Sequence, residues 1–119
     1  MTRLELEKYI AEEYGVMPEY LWEGDSATSA LRHVNTKKWF GIIMRISANK
    51  LGLKTEDLVD VINVKLDPDL IQELIVTHSS FIFPAYHMNK KHWLTILLNA
   101  SADDALIKAL INDSYGLTL

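Results

Sequence analysis

The run Trp39-Phe40-Gly41-Ile42-Ile43-Met44-Arg45-Ile46-Ser47 limits the folds open to this chain more than any other stretch. Its residues alternate: Phe40, Ile42, Met44 and Ile46 fall on one side, and Trp39, Gly41, Ile43, Arg45 and Ser47 on the other. A helix would scatter these side chains around its circumference, whereas a strand sorts them onto two faces. A strand of this kind needs partners. Residues 29–34, ending at the polar turn Asn35-Thr36-Lys37, form the expected hairpin mate. A connection over 48–58, bent at Gly52, leads to a third strand over 60–66. There Ile62, Val64 and Leu66 are expected to face the core, and Val61, Asn63 and Lys65 to face away. Residues 81–88 read as extended but are interrupted by Pro84, which suits an edge or a bulge. Residues 92–98 read as a further strand.

Three helices complete the pattern. Residues 2–14 begin with a capping box, Thr2 and Glu5, and stop at Gly15, a residue free to adopt the left-handed conformation of a helix end. Residues 16–28 read as irregular, with Glu19-Tyr20-Leu21-Trp22-Glu23 expected to tuck an aromatic anchor under a loop. Asp67-Pro68 starts a second helix, with Asp67 as cap and Pro68 in the first turn, where no donor is needed. Leu70, Ile71, Leu74 and Ile75 are its apolar stripe. Ser101 is the expected cap of a third helix ended by Gly116, which packs through Leu106, Ile107, Leu110 and Ile111. The order α-β-β-β-α-β-β-α predicts an α+β fold: a two-layer domain with a mostly antiparallel sheet and helices packed on one face.

The length, 119 residues, fits a single domain spanning 1–119. There is no cysteine, which excludes disulfides, thiolate metal sites and a cysteine nucleophile. The formal charge of −4 argues against a globally basic nucleic-acid coater but leaves a local basic patch open. The start of the chain has no uninterrupted apolar stretch of the kind a secretory signal needs, and no window is long enough for a membrane span. The expectation is a cytoplasmic protein without a membrane partner.

With helices on one face, the other is expected to carry Arg32, Trp39, Ile43, Arg45, Val61, Asn63, Lys65, Trp93, Thr95 and Leu97. Two indoles and several aliphatics among cations and an amide make an unusual solvated surface. Its cover could come from the chain itself, from a second copy, or from a ligand or partner. The densest polar stretch is Tyr86-His87-Met88-Asn89-Lys90-Lys91-His92-Trp93. Lys90 and Lys91 suit phosphate, Asn89 and Tyr86 can donate hydrogen bonds, and Trp93 offers a stacking plate. His87 and His92 could equally lock a hairpin by bonding backbone, which would make the motif a fold determinant.

The stretch from Pro84 to Trp93 resembles the signature of the MmcQ/YjbR family. So does Ile62-Asn63-Val64-Lys65-Leu66-Asp67-Pro68. Trp39-Phe40-Gly41, Lys50-Leu51-Gly52-Leu53 and Ile111-Asn112-Asp113-Ser114-Tyr115 also fit, so the likeness runs in order along nearly the whole chain. Two departures are Leu21, where the family often has proline, and Leu66, where it often has cysteine. The resemblance implies a compact α/β domain related to frataxin-like (CyaY-like) and secretion-chaperone-like folds. It also implies DNA binding through two wing-like turns, which here correspond to residues 35–38 and 89–91.

Seven cations would serve such a surface: Arg32, Lys37, Lys38, Arg45, Lys65, Lys90 and Lys91. That is near the lower end of the roughly 6–10 phosphate contacts that give useful affinity. No helix is rich in base-reading side chains, so weak DNA binding without base specificity is expected. No catalytic constellation is present, and no cofactor is called for. His78, His87 and His92 lack metal-ligand spacing, Ser79-Ser80 lacks nucleophile-elbow glycines, and no glycine-rich phosphate loop exists. The expectation is a non-enzymatic binding domain. The alternative is a protein- or peptide-interaction module, or a homodimer, that uses Trp39, Ile43, Trp93 and Leu97.

Overall fold

The structure is a computed structural model that describes residues 1–25, 27–99 and 102–119. Helix α1 spans Arg3–Tyr14. Both halves of the Thr2–Glu5 capping box form, and Gly15 closes the helix at φ 66°. Strand β1, Glu19–Tyr20, lies within the stretch expected to be irregular. Neither Tyr20 nor Trp22 is tucked under a loop; Trp22 is 60% exposed. Strand β2 is Ser29–Arg32, shorter than expected, because the chain turns at His33. There the His33 N–H donates to the Lys38 carbonyl and the Lys37 N–H to that of His33. Lys37 takes the left-handed conformation, φ 66°.

Strand β3 is Trp39–Ser47, as its alternation predicts. A short 3-10 turn, Ala48–Leu51, and Gly52 at φ 84° bend the chain toward β4, Leu58–Lys65. Helix α2, Pro68–Thr77, is capped by the Asp67 carboxylate with Pro68 in the first turn. Strand β5, Ile82–Pro84, is an edge strand that stops at the proline, so residues 85–88 are not extended as expected. Strand β6 is Trp93–Leu97 and helix α3 is Asp104–Leu117. The carboxylate of Asp103 caps α3 by accepting from the Leu106 N–H; the expected cap, Ser101, lies outside the described residues. Gly116 does not end α3, which runs to Leu117.

The six strands form one sheet in the order β1-β2-β3-β4-β6-β5, with every pair antiparallel. This is the expected α+β fold with one added strand. Helices α1 and α3 pack on one another, with the rings of Tyr14 and Tyr115 stacked at 4.5 Å, while α2 lies against β5 and β6.

Register decides which side chains share a face, because directly opposed residues point the same way. Ile43, Ile62, Ile96 and Ile82 oppose one another in turn across β3, β4, β6 and β5, and all are buried. This is the helical face: Arg3 of α1 reaches Asp60 there, and Leu6 and Ile10 are fully buried. The outer face carries Ala30, Ile42, Asn63 and Thr95 in one row.

One irregularity changes the expected faces. Leu31 opposes Gly41 but Arg32 opposes Trp39, so Phe40 is an extra residue in β3. A bulge of this kind breaks strict alternation. Phe40 turns to the helical side, where its ring meets Tyr14 and Tyr115. Beyond the bulge Ile43 and Arg45 also face the helices, not the outer face as expected, and Ile42 takes their place. Gly41 is packed so closely that a β-carbon there would lie 3.0 Å from Leu31 Cδ1 and 3.3 Å from Ile62 Cδ1.

Candidate nucleic-acid interface

Strand β3 begins at Trp39, β4 ends at Lys65 and β6 begins at Trp93. These strands are neighbours, so all three positions lie at one end of the sheet. The turns before Trp39 and before Trp93 therefore sit at the same end, two strand spacings apart. Ser114 of α3 secures this end from the helical side. Its buried hydroxyl accepts from the Lys65 N–H at 2.9 Å and donates to the Phe40 carbonyl at 2.7 Å. It bridges backbone groups of β3 and β4 just beyond their last paired residues, Ile42 and Asn63.

The second turn is held by a closed ring of hydrogen bonds on the outer face. The Tyr86 N–H donates to Thr95 Oγ1 at 2.9 Å, the Thr95 hydroxyl donates to Asn63 Oδ1, and Asn63 Nδ2 donates to the Tyr86 carbonyl at 2.9 Å. Asn63 and Thr95 are completely buried. A buried amide and hydroxyl need such partners, and the ring satisfies both while pinning residues 85–86 across the sheet. Asn89 then builds the turn itself: its Oδ1 accepts from the N–H groups of Lys91 and His92, at 2.8 and 3.2 Å. This Asx turn leaves Lys90, Lys91 and His92 exposed. His87, at φ 57°, is exposed and meets the Tyr86 ring edge-on.

Asn63, Tyr86 and Asn89 thus spend hydrogen bonds on the fold. Neither His87 nor His92 has a side-chain hydrogen bond to backbone among those the structure shows. The backbone lock is made instead by Asn63, Thr95 and Asn89. Periodicity marked Asn63 and Thr95 as outer-face residues but could not show that a loop would cover them.

The expected cations divide into two groups. Arg32 pairs with Glu19 of the edge strand at 2.9 Å and lies over the Trp39 ring at 5.4 Å. Arg45 holds Asp60 through two bonds, 3.0 and 3.2 Å, on the helical face, and that carboxylate raises the guanidinium further above its ordinary range. Arg45 therefore does not join the others. Lys37, Lys38, Lys65, Lys90 and Lys91 form no ion pair among the described residues. Lys38 Nζ lies 3.3 Å from the Leu119 carbonyl. Across the outer face Arg32 opposes Trp39 and Lys65 opposes Trp93. Both indoles are half-buried, whereas Ile43 and Leu97 are buried by the chain itself.

Among the described residues no group of three or more His, Asp or Glu side chains is arranged to hold a metal ion. Among the described residues no helix is long and apolar enough to cross a membrane.

The fold defines a small α+β domain whose antiparallel sheet carries a buried Asn–Thr clasp and two lysine-bearing turns at one end. The YjbR family model matches residues 11–117, and the chain belongs to that family. It is 37% identical to YyaQ of Bacillus subtilis over 118 residues, covering 99% of this chain and 98% of that protein. It is also 37% identical to YjbR of Escherichia coli over 54 residues, 45% of each chain. A crystal structure of a Pseudomonas syringae protein, 38% identical, superposes with a TM-score of 0.93 over the whole of both chains.

Proposed function

We propose that this domain binds nucleic acid weakly, without reading base sequence, through the end of the sheet that carries the two turns. The observation that carries the proposal is the placement of Lys37, Lys38, Lys65, Lys90 and Lys91 around that end, none of them ion-paired among the described residues. With Arg32 and Arg45 already paired to carboxylates, five cations remain. Few contacts give weak binding, and five of them still set a slope of log K against log salt of about −3.5 to −4.5. The acids Glu5, Glu7, Glu12 and Glu13 lie on α1, against the other face of the sheet. Among the described residues no helix stands on the outer face at that end to enter a major groove, which supports backbone contacts over base reading.

Anisotropy titration of a labelled oligonucleotide at two salt concentrations tests this. Binding at low salt that weakens as salt rises is expected. The double variant Lys90→Ala/Lys91→Ala should make the slope of log K against log salt shallower, less negative by about 1.4–1.8. Absence of binding even at low salt overturns the proposal.

A further inference from the structure

Four side chains cross the outer face at the proposed binding end, one from each of four adjacent strands: Arg32 of β2, Trp39 of β3, Lys65 of β4 and Trp93 of β6. Their common facing follows from register. Lys65 opposes Trp93, and it lies two residues on from Asn63, which opposes Ile42; Arg32 lies two residues on, in the unbulged strand β2, from Ala30, which also opposes Ile42. Trp39 opposes Arg32, because the bulge at Phe40 returns it to this side. Cation and indole thus alternate across strands about 4.8 Å apart. The bulge also explains why both indoles lie on one face although strict alternation in β3 would have set Trp39 opposite Ile42.

Resting on the nucleic-acid reading above, we propose that the preferred ligand is single-stranded, with an unpaired base stacked on Trp93 and the phosphates following Lys65, Lys90 and Lys91. A duplex hides the faces of its bases, so an indole on a sheet gains little from it. An extended single strand offers those faces to aromatic side chains, and a π-face is common to all four bases, so such stacking does not select a sequence. The Trp39 ring is partly engaged by Arg32, which leaves Trp93 as the principal plate. Five lysines without ion pairs among the described residues suit this ligand better than a duplex, because stacking adds to the affinity that few phosphate contacts supply.

The test compares oligothymidylate of about 16 nucleotides with a duplex of the same length, at one low salt concentration, for the wild type, Trp93→Leu and Trp93→Phe. The single strand is expected to bind at least about tenfold more tightly than the duplex. Trp93→Leu is expected to weaken single-strand binding roughly 5-fold or more, the loss of one stacked base, and Trp93→Phe to retain most of it. A duplex bound as tightly as the single strand overturns this inference and leaves the parent reading standing. Binding of neither overturns both. A folded Trp93→Leu protein that keeps full single-strand affinity also overturns it, and if that variant does not fold, the wild-type preference for single strand over duplex decides.

Discussion

The Nε2 of His33 lies 2.8 Å from the hydroxyl oxygen of Thr118, 85 residues further along the chain. The Thr118 hydroxyl donates to the Ser114 carbonyl at 2.7 Å, so its proton is committed and it accepts from His33 Nε2–H. This assigns the neutral ring its tautomer from the bonding pattern. His33 is 3% exposed and packs on Phe40 and Tyr115. The bond ties the last turn of α3 to the first turn of the binding end.

Burial holds the His33 pKa below its ordinary 6.5, the nearby Lys38 charge adds to the depression, and a hydrogen bond at Tyr115 partly opposes it. The unfolded chain therefore takes up this proton more readily than the folded one. Stability from His33 is full above pH 6.5 and is lost as pH falls through that value toward the depressed folded one. Thermal midpoints between pH 8 and about pH 5 should decline below pH 6.5 in the wild type. A His33→Gln variant, which keeps a donor and cannot titrate, should decline less over that window. Parallel curves for the two proteins would remove His33 as the cause.

Asn63→Leu should destabilise the fold by about 2–4 kcal/mol, since it leaves the Thr95 hydroxyl and the Tyr86 carbonyl without their partner. Urea unfolding gives the magnitude. Faster hydrogen exchange at the Tyr86 and Trp93 amides would place the loosening at the second turn. Unchanged exchange there would mean that the loop is held by other contacts.

Ser114→Ala removes the bridge between Phe40 and Lys65 and leaves a buried N–H and carbonyl unpaired, at a cost of about 2–4 kcal/mol. Ser114→Thr keeps the hydroxyl and serves as the comparison. Equal stability of the alanine variant and the wild type would show that β3 and β4 close directly without it.

Gly41→Ala should cost about 1–3 kcal/mol by overpacking, because the new methyl meets Leu31 and Ile62 in the core. A compensating Leu31→Val change should recover part of the loss, measured by chemical denaturation. A neutral Gly41→Ala would mean that the Leu31 and Ile62 side chains shift at little cost.

Local chemistry made much of this architecture readable. The Thr2–Glu5 box, the Gly15 stop, the Asp67-Pro68 start and the edge position of Pro84 each follow from short-range bonding or from a missing donor, and each is found. Strand β1 escaped because two exposed residues carry no alternation, and it exists only by pairing with β2. Asp103 was masked as a cap by Ser101 two residues earlier, which is also a good capping residue.

For the site, lysines and indoles flanking two turns are legible in the sequence, since turn chemistry and apolar alternation are local properties. The sequence also identified Asn63, Lys65, Trp93 and Thr95 as sharing one face. The bulge of Phe40 out of β3 to join Tyr14 and Tyr115, which carries Ile43 and Arg45 to the helical side, is set by packing between distant segments. That choice depends on what lies across the sheet and above it, and a one-residue slip reverses every later side chain without altering the sequence pattern at all. The same holds for the outer face. Asn63 and Thr95 look like surface residues until the Tyr86 backbone is laid over them, and that contact comes from a segment more than twenty residues away from Asn63.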